Sequence, residues 1–591
     1  DGIFLKNFRQ ILPYLKPCRK EFILAVLFVT AETAFELFIP LVMSNIIDQG
    51  VTNRDIAYIL HQGVLMAVCA LLSLICGLLY ARYAARASLG FGTRIREAEY
   101  EKLQNYSFAN LDHFETSSLI TRMTTDITVL QNAIINGLRP MVRGPVLLVM
   151  GLLLAFFMNV RLALVFLVCM PILGCILFFI VRKVGPMYGK LQASVDKVNN
   201  VVQENLNAIR AVKAYVRGTY EEENFGRANR TLTENSLHTF RIAVLNLPAF
   251  QFTMYTGTVL ILWFGGNLIH TGSMEVGALT GFLSYVMQIV NSLMMISNVF
   301  LMLTRSLASA ARISEVFAEQ PDLADPPKGL DTVADGCVEF RNVEFFYSPT
   351  AARPALSGVN LKFQAGQTIG IIGGTGSAKS TLVQLIPRLY DVSSGSVLVG
   401  GHDVRDYRLK PLRDAIGIVL QKNVLFSGTI RENLQWGNPG ADDEELWRAC
   451  RTACADEFIE KMPGGLDALL DQGGLNLSGG QKQRLCIART LLKHPKVMIF
   501  DDSTSAVDTA TEAHIRRGLS ALPKMTKIII AQRITSVMHA DQIVILEDGR
   551  VHAVGSHETL LRDDPIYQEI YDSQMRAASD APEAETQKGG A

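Results

Sequence analysis

The chain has 591 residues, enough for about two to four domains. Lysine plus arginine and aspartate plus glutamate each number 56, so no net field points to nucleic acid as a partner. Mean hydropathy is +0.22, high for a soluble protein, and the apolar residues are unevenly placed: residues 1–320 hold the long apolar stretches, and the remainder reads as a soluble α/β domain. None of the nine cysteines falls in a zinc-like cluster or a disulfide framework; Cys450 and Cys454, four apart, read as helix packing. The first twenty residues are amphipathic and basic rather than the apolar core of a signal peptide.

In chain order, six apolar windows read as membrane spans. Segment 22–47 is interrupted by Glu32 and Glu36, whereas 56–81, 144–160, 162–181, 242–269 and 276–304 contain no Asp, Glu, Lys or Arg. Most reach the roughly 20 residues needed to cross hydrocarbon. Window 144–160 is short and is expected to begin earlier, near Gly137, with Arg139 and Arg143 at its cytoplasmic end. Connections 48–55, 159–161 and 270–275 are short. Segments 82–143 and 182–241 are long and rich in Arg and Lys, and the N-terminal segment carries Lys6, Arg9, Lys16, Arg19 and Lys20. The positive-inside bias predicts cytoplasmic termini and long loops. Those loops lack a disordered composition, so they are expected to be helical extensions of the spans.

Glu32 and Glu36, four apart, share one face of the first span. An uncompensated carboxylate in hydrocarbon costs about 2.5–3.5 kcal/mol on insertion scales. They therefore face a hydrated path, where they would attract cations, or a structural partner on a neighbouring helix, or form a protonated pair. Phe250, Phe252, Tyr255, Met287, Met294 and Met295 on the last two spans suit an apolar, adaptable cavity.

The soluble half carries the densest chemistry. A strand-like run, 368–372, leads into Gly373, Gly374, Thr375, Gly376, Ser377, Ala378, Lys379 and Ser380, and Thr381 opens a helix-like run. This is the phosphate-loop pattern in its strand–loop–helix setting, with Ala378 where the last glycine is expected. Backbone N–H groups cradle phosphates, the lysine reaches the β and γ oxygens, and the serine ligates Mg²⁺. Segment 497–501 is a buried strand ending in the carboxylate Asp501, suited to holding Mg²⁺. Before it lies Leu477 followed by Ser478, Gly479, Gly480 and Gln481.

That last run resembles the signature of the ATP-binding cassette, or ABC, ATPases. The resemblance extends over essentially the whole chain, to the family's exporters. It implies a base-stacking role for Tyr347, a Q-loop role for Gln421 and a D-loop at Ser505–Asp508. It implies ATP and Mg²⁺ as cofactors, the metal being held by Ser380, Gln421 and Asp501. The implied fold is a membrane all-α domain of six helices joined to an α/β P-loop NTPase domain. The boundaries are a membrane domain at 1–320, a linker at 321–337, a nucleotide-binding domain at 338–572 and a disordered tail at 573–591. Segment 4–15 resembles an elbow helix on the inner leaflet, and 105–115 and 214–225 resemble the short coupling helices.

Two positions depart from the family pattern. Where a glutamate normally follows the strand aspartate stands Asp502, and where a histidine normally lies in the switch stands Gln532. Glutamine cannot share a proton as imidazole can. An impaired own site beside an intact signature resembles the degenerate half of heterodimeric bacterial multidrug exporters. The implied partners are a second, non-identical half-transporter with Glu and His at its site, membrane lipid, and an amphipathic drug, lipid or peptide cargo. The implied location is the bacterial inner (plasma) membrane. A nucleotide-gated channel or regulatory membrane protein, and a homodimeric lipid flippase in which Asp502 suffices, are the alternatives.

Overall fold

The computed structural model describes residues 10–348, 350–502, 509–522 and 525–579. The chain divides into two compact units, residues 1–104 with 115–319, and residues 105–114 with 320–591.

Among the described residues of the first unit, six helices are long and apolar enough to cross a membrane. The main elements are α1 (Arg19–Asn45), α2 (Ile56–Gln104), then, beyond the short α3 (Phe108–Asp112) that groups with the second unit, α4 (Ile127–Met158), α5 (Val160–Asn207), α6 (Gly218–Ala243), α7 (Asn246–His270) and α8 (Val276–Ala318). The basic loops are helical extensions as expected: α2 runs 49 residues and α5 runs 48, each continuing well past its apolar window. Large apolar side chains lie on the outside, Phe157 being 87 % exposed. Such a surface is stable in lipid and not in water. Connection 159–161 shrinks to one extended residue, Asn159, whose side chain accepts from the backbone N–H groups of Arg161 and Leu162 and so starts α5.

The second short helix differs from expectation. It spans Ile209–Ala214, and Val216, at φ 53°, breaks the chain before α6 begins at Gly218. The expected segment 214–225 thus straddles a helix break and the first turns of α6. Near the N-terminus a tight 3-10 helix covers Leu12–Cys18; residues 4–9 of the expected elbow segment 4–15 lie outside the described residues. The last described helix, Pro565–Ser579, continues past residue 573, where a tail was expected to begin.

Several polar side chains inside this unit bridge neighbouring helices. Tyr285 on α8 is fully buried and its hydroxyl donates to the Leu37 carbonyl of α1 at 2.8 Å. Glu32 and Glu36 meet two arginines of α4. Arg139 bonds Glu32, and Arg143 Nη2 donates to Glu36 Oε1 at 2.7 Å while its Nη1 lies 3.5 Å from Glu32. Two carboxylates and two guanidinium groups form a ladder with no formal net charge. This is the helix contact that the sequence left open beside a cation-attracting path.

The second unit is built on a four-stranded sheet and a six-stranded one. The first has the order β2 (Leu356–Phe363), β1 (Val338–Phe345), β4 (Ser394–Val399), β5 (His402–Asp403) and is antiparallel. The second has the order β12 (Arg550–Gly555), β11 (Gln542–Glu547), β3 (Thr368–Gly373), β10 (Thr526–Ile530), β9 (Val497–Asp501), β6 (Ile416–Val419), parallel except at β12. A separate two-residue pair joins β7 (Gly428–Thr429) to β8 (Leu469–Leu470). All five residues of β9 are buried, as expected for a parallel strand covered on both faces. Helices α9 (Lys379–Gln384), α10 (Gly479–Leu491) and α11 (Pro565–Ser579) complete the elements used below.

The ion-pair ladder yields a prediction. Arg143→Gln leaves Glu36 without its arginine and Glu32 with Arg139 alone, and should cost about 1–3 kcal/mol. Thermal unfolding of the full chain in detergent should register this as a lower midpoint. The reciprocal exchange Glu36→Arg with Arg143→Glu should recover part of the loss; no recovery would show that the pairing is not what stabilises the two helices.

Candidate nucleotide site

Parallel pairing brings the site together. Ile530 of β10 lies opposite Ile371 of β3 on one side and Asp501 of β9 on the other. All three strands therefore end at the same edge of the sheet, where ligands collect in open α/β folds. Segment 373–381 leaves the end of β3, Asp501 and Asp502 the end of β9, and Ala531 and Gln532 the end of β10.

The loop after β3 is held by backbone constraint. A Cβ at Gly373, where φ is 155°, would stand 2.2 Å from the Leu546 carbonyl oxygen, so only glycine fits. Ala378 adopts φ 67° and ψ 27° immediately before α9. That left-handed conformation costs a non-glycine residue about 1–2 kcal/mol, which is the physical content of the departure noted in the sequence. The loop keeps its shape and stores strain.

A cleft of about 630 Å³ opens at this edge. It is lined by Gly373, Thr375, Gly376, Ser377, Ala378, Lys379, Ser380 and Thr381 from the loop and helix, and by Tyr347, Gln421, Asp501, Asp502 and Gln532. Lys379 Nζ donates to the carbonyls of Gly373 at 2.9 Å and Gly374 at 2.7 Å. Burial lowers its pKa, opposed by the charges of Asp502 and Asp501. Ser380 Oγ donates to Asp501 Oδ1 at 2.7 Å. Burial raises the Asp501 pKa, the Ser380 hydrogen bond and Lys379 lower it, and Asp502 raises it further. These juxtaposed oxygen donors suit a hard cation such as Mg²⁺.

Asp502, at φ 47°, also stands in the left-handed region. Its Oδ2 accepts from Gln532 Nε2 at 2.5 Å. The two positions that depart from the family pattern are therefore bonded to one another. Gln574 of α11 fixes the switch segment from behind, its Nε2 donating to the Gln532 carbonyl at 2.9 Å and its Oε1 accepting from Ile534 N–H at 2.8 Å. Tyr347 presents a half-exposed ring at the cleft rim, with its hydroxyl 2.8 Å from Thr381 Oγ1.

The signature lies elsewhere in the same unit. Ser478 Oγ accepts from Gln481 N–H at 3.3 Å and Gln481 Oε1 accepts from Ser478 N–H at 2.9 Å, a reciprocal cap on α10. Ser478 and Gly479 are exposed, Gly480 and Gln481 half-buried, and none of the four lines the cleft. Ser505–Asp508 lie outside the described residues. Glu32 and Glu36 belong to the membrane-spanning unit. Arg353, Pro354, Asp548 and Gly549 also line the cleft. The sequence reading did not single them out, because they stand in loops with no motif: Asp548 and Gly549 follow β11, which pairs with β3, and Arg353 and Pro354 precede β2.

Known proteins agree with this architecture. Residues 22–293 match the family described as the ABC transporter transmembrane region, and residues 356–505 match the ABC transporter family. The chain is 39 % identical to YfiB of Bacillus subtilis, described as an uncharacterized ABC transporter ATP-binding protein, over 96 % of this chain and 98 % of that one. It is 31 % identical to an ATP-dependent lipid A-core flippase of Syntrophus aciditrophicus, over 82 % of this chain and 80 % of the flippase. The solved structure of a bacterial Atm1-family ABC exporter with ATP bound superposes with a TM-score of 0.79 at 25 % identity, covering 96 % of this chain and 99 % of that one. With the phosphate loop, the strand carboxylates and the signature all in place on one cassette, the chain belongs to the ABC transporter family, as a multi-pass membrane protein of exporter fold whose membrane-spanning and ATPase domains are fused in one polypeptide.

Proposed function

We propose that this chain is one half of a heterodimeric exporter of amphipathic compounds, whose own ATP site binds nucleotide but turns it over slowly. The observation that carries this reading is the Gln532–Asp502 hydrogen bond. An aspartate is one methylene shorter than the usual glutamate, and here one of its oxygens faces an amide donor. Glutamine offers no titratable nitrogen to share a proton with the γ-phosphate or the attacking water. General-base positioning is worth about 10²–10⁴ in rate, so this arrangement favours retention of ATP over hydrolysis.

The rest of the site suits binding. Tyr347 would stack on the adenine, the loop N–H groups and Lys379 would hold the phosphates, and Ser380, Asp501 and Gln421 would hold Mg²⁺. When bound there, the metal would supply charge neutralisation for the phosphates. The exposed cap of Ser478–Gln481 is free to close over a nucleotide held by a second half-transporter, contributing charge stabilisation there. A partner with Glu and His at its own site would then carry most of the turnover. On this reading the cassette and both termini are cytoplasmic, the membrane is the bacterial inner membrane, and the cargo is a drug, lipid or peptide with an apolar body. The flippase relative makes a lipid cargo a natural first choice for assay.

Two measurements follow. The purified full chain should bind ATP but hydrolyse it weakly, and Asp502→Glu with Gln532→His should raise its turnover by about 10²-fold or more. Unaltered turnover in the double variant, or wild-type turnover equal to that of a complete transporter, would instead support a homodimer in which Asp502 suffices.

In the assembled transporter, Gly480→Asp places a carboxylate against the partner's γ-phosphate and should abolish nearly all hydrolysis at saturating ATP. Lys379→Ala weakens binding at the slow site alone and should reduce turnover without eliminating it. A larger loss from Lys379→Ala would reverse the assignment of competent and impaired sites.

A further inference from the structure

One side chain in the second unit touches both the nucleotide cleft's aromatic and the intracellular segment. Tyr390 follows α9 in the chain and is only 9 % exposed. Its ring meets Tyr347 edge-to-face, with centroids 5.5 Å apart and planes at 86°, and meets Phe345 at 5.6 Å. On another side it packs against Phe108 of α3 at 6.1 Å. Its hydroxyl donates to Asp112 Oδ2, at the end of α3, at 2.8 Å. A bond from a neutral hydroxyl to a carboxylate is about twice as strong as one between neutral groups.

Both ends of this link are fixed. The backbone beside Tyr390 is set by Arg388, buried and at φ 51°, which forms a two-pronged pair with Asp391 at 2.8 and 3.0 Å. Helix α3 is held by Ser107, whose hydroxyl accepts from Asn110 N–H, and by Asn110, whose amide donates to the Gln320 carbonyl at 2.9 Å. Tyr347 is fixed in turn by its hydroxyl contact with Thr381 at the base of the phosphate loop. Among the described residues, Tyr390 itself makes direct contact with both Tyr347 and α3. Segment 105–114 is continuous in sequence with α2, which ends at Gln104, so a displacement of α3 is a displacement of the chain entering the membrane-spanning unit.

We infer that Tyr390 is a positioning residue that reports occupancy of the Tyr347 base-stacking face to α3, through ring contact on one side and its hydroxyl bond to Asp112 on the other. This deepens the reading of the cleft above and rests on Tyr347 stacking the base. Stacking a base on Tyr347 restricts that ring, Tyr390 shares an edge with it, and the bond to Asp112 transmits the restricted position to α3. The core role of the ring and the signalling role of the hydroxyl are separable, because Tyr390→Phe keeps the ring and removes only the bond.

The test uses the full-length chain in phospholipid nanodiscs. Of three tryptophans, Trp436 and Trp447 belong to the second unit and Trp263 to α7. In a Trp436→Phe, Trp447→Phe background, Trp263 emission reports the membrane-spanning unit, and displacement of a fluorescent ATP analogue reports binding. With Tyr390→Phe, ATP affinity should stay within about twofold, while the change in Trp263 emission at saturating ATP should fall about fivefold, the lower range of ordinary coupling between sites. Asp112→Leu should give the same pattern, and the two changes together should be no worse than either alone. A full Trp263 response in either single variant, or additive losses in the pair, overturns the inference. Tyr347→Ala is the separate control: unchanged ATP affinity there would remove the base-stacking reading itself, whatever Tyr390→Phe does.

Discussion

Parallel pairing of β9, β10 and β3 is the constraint on which the nucleotide site depends. In a parallel sheet every strand ends at the same edge, and the register Asp501–Ile530–Ile371 brings three chain breaks within reach of one phosphate chain. Residues far apart in sequence meet there because the strands that carry them are paired in register. The Gly373 position shows how tight this is, since β11's Leu546 carbonyl leaves no room for a single carbon atom. Ala378 in the same loop adopts a left-handed conformation that glycine would adopt more easily. The sheet sets the loop, and the loop's residues accept the strain.

Much of this was legible in the sequence because it rests on local pattern. A strand run, a glycine-rich loop and a helix run are contiguous, and an apolar window carries its own length. The six spans and the phosphate loop were therefore readable from neighbouring residues. Asp502 and Gln532 were readable as departures, but their mutual bond was not, since it depends on the β9–β10 pairing. Arg353 and Asp548 reach the cleft through loop geometry that no short motif encodes. Tyr390 gave no signal at all, because its significance lies in three rings and a carboxylate contributed by separate segments. Gln574 lay where a polar tail was expected, and its bonds to the switch segment show that this last stretch of the C-terminal helix has a structural task.

The charged residues of the first span are an intermediate case. Glu32 and Glu36 were visible as a same-face pair, and Arg139 and Arg143 were visible as basic residues at the end of another span. The spacing matches, four residues in each pair, and each carboxylate lies 107 positions from its arginine. Equal spacing on two helices is what an interhelical ladder requires. The second short helix shows the opposite failure: the family resemblance placed it several residues too late, because the break at Val216 depends on a backbone conformation that β-branched residues seldom adopt.

The ladder also has a consequence for how the protein is made. A ribosome adds about 5–20 residues each second, so the 107 positions separating each carboxylate from its arginine correspond to roughly 5–20 s of synthesis. Throughout that interval the first span has emerged and its future counter-ions have not. Until α4 arrives it carries the cost of two uncompensated carboxylates, about 2.5–3.5 kcal/mol each on insertion scales. The order in which the spans leave the ribosome is thus a chemical constraint on this chain, one that favours settling the first helix together with α4.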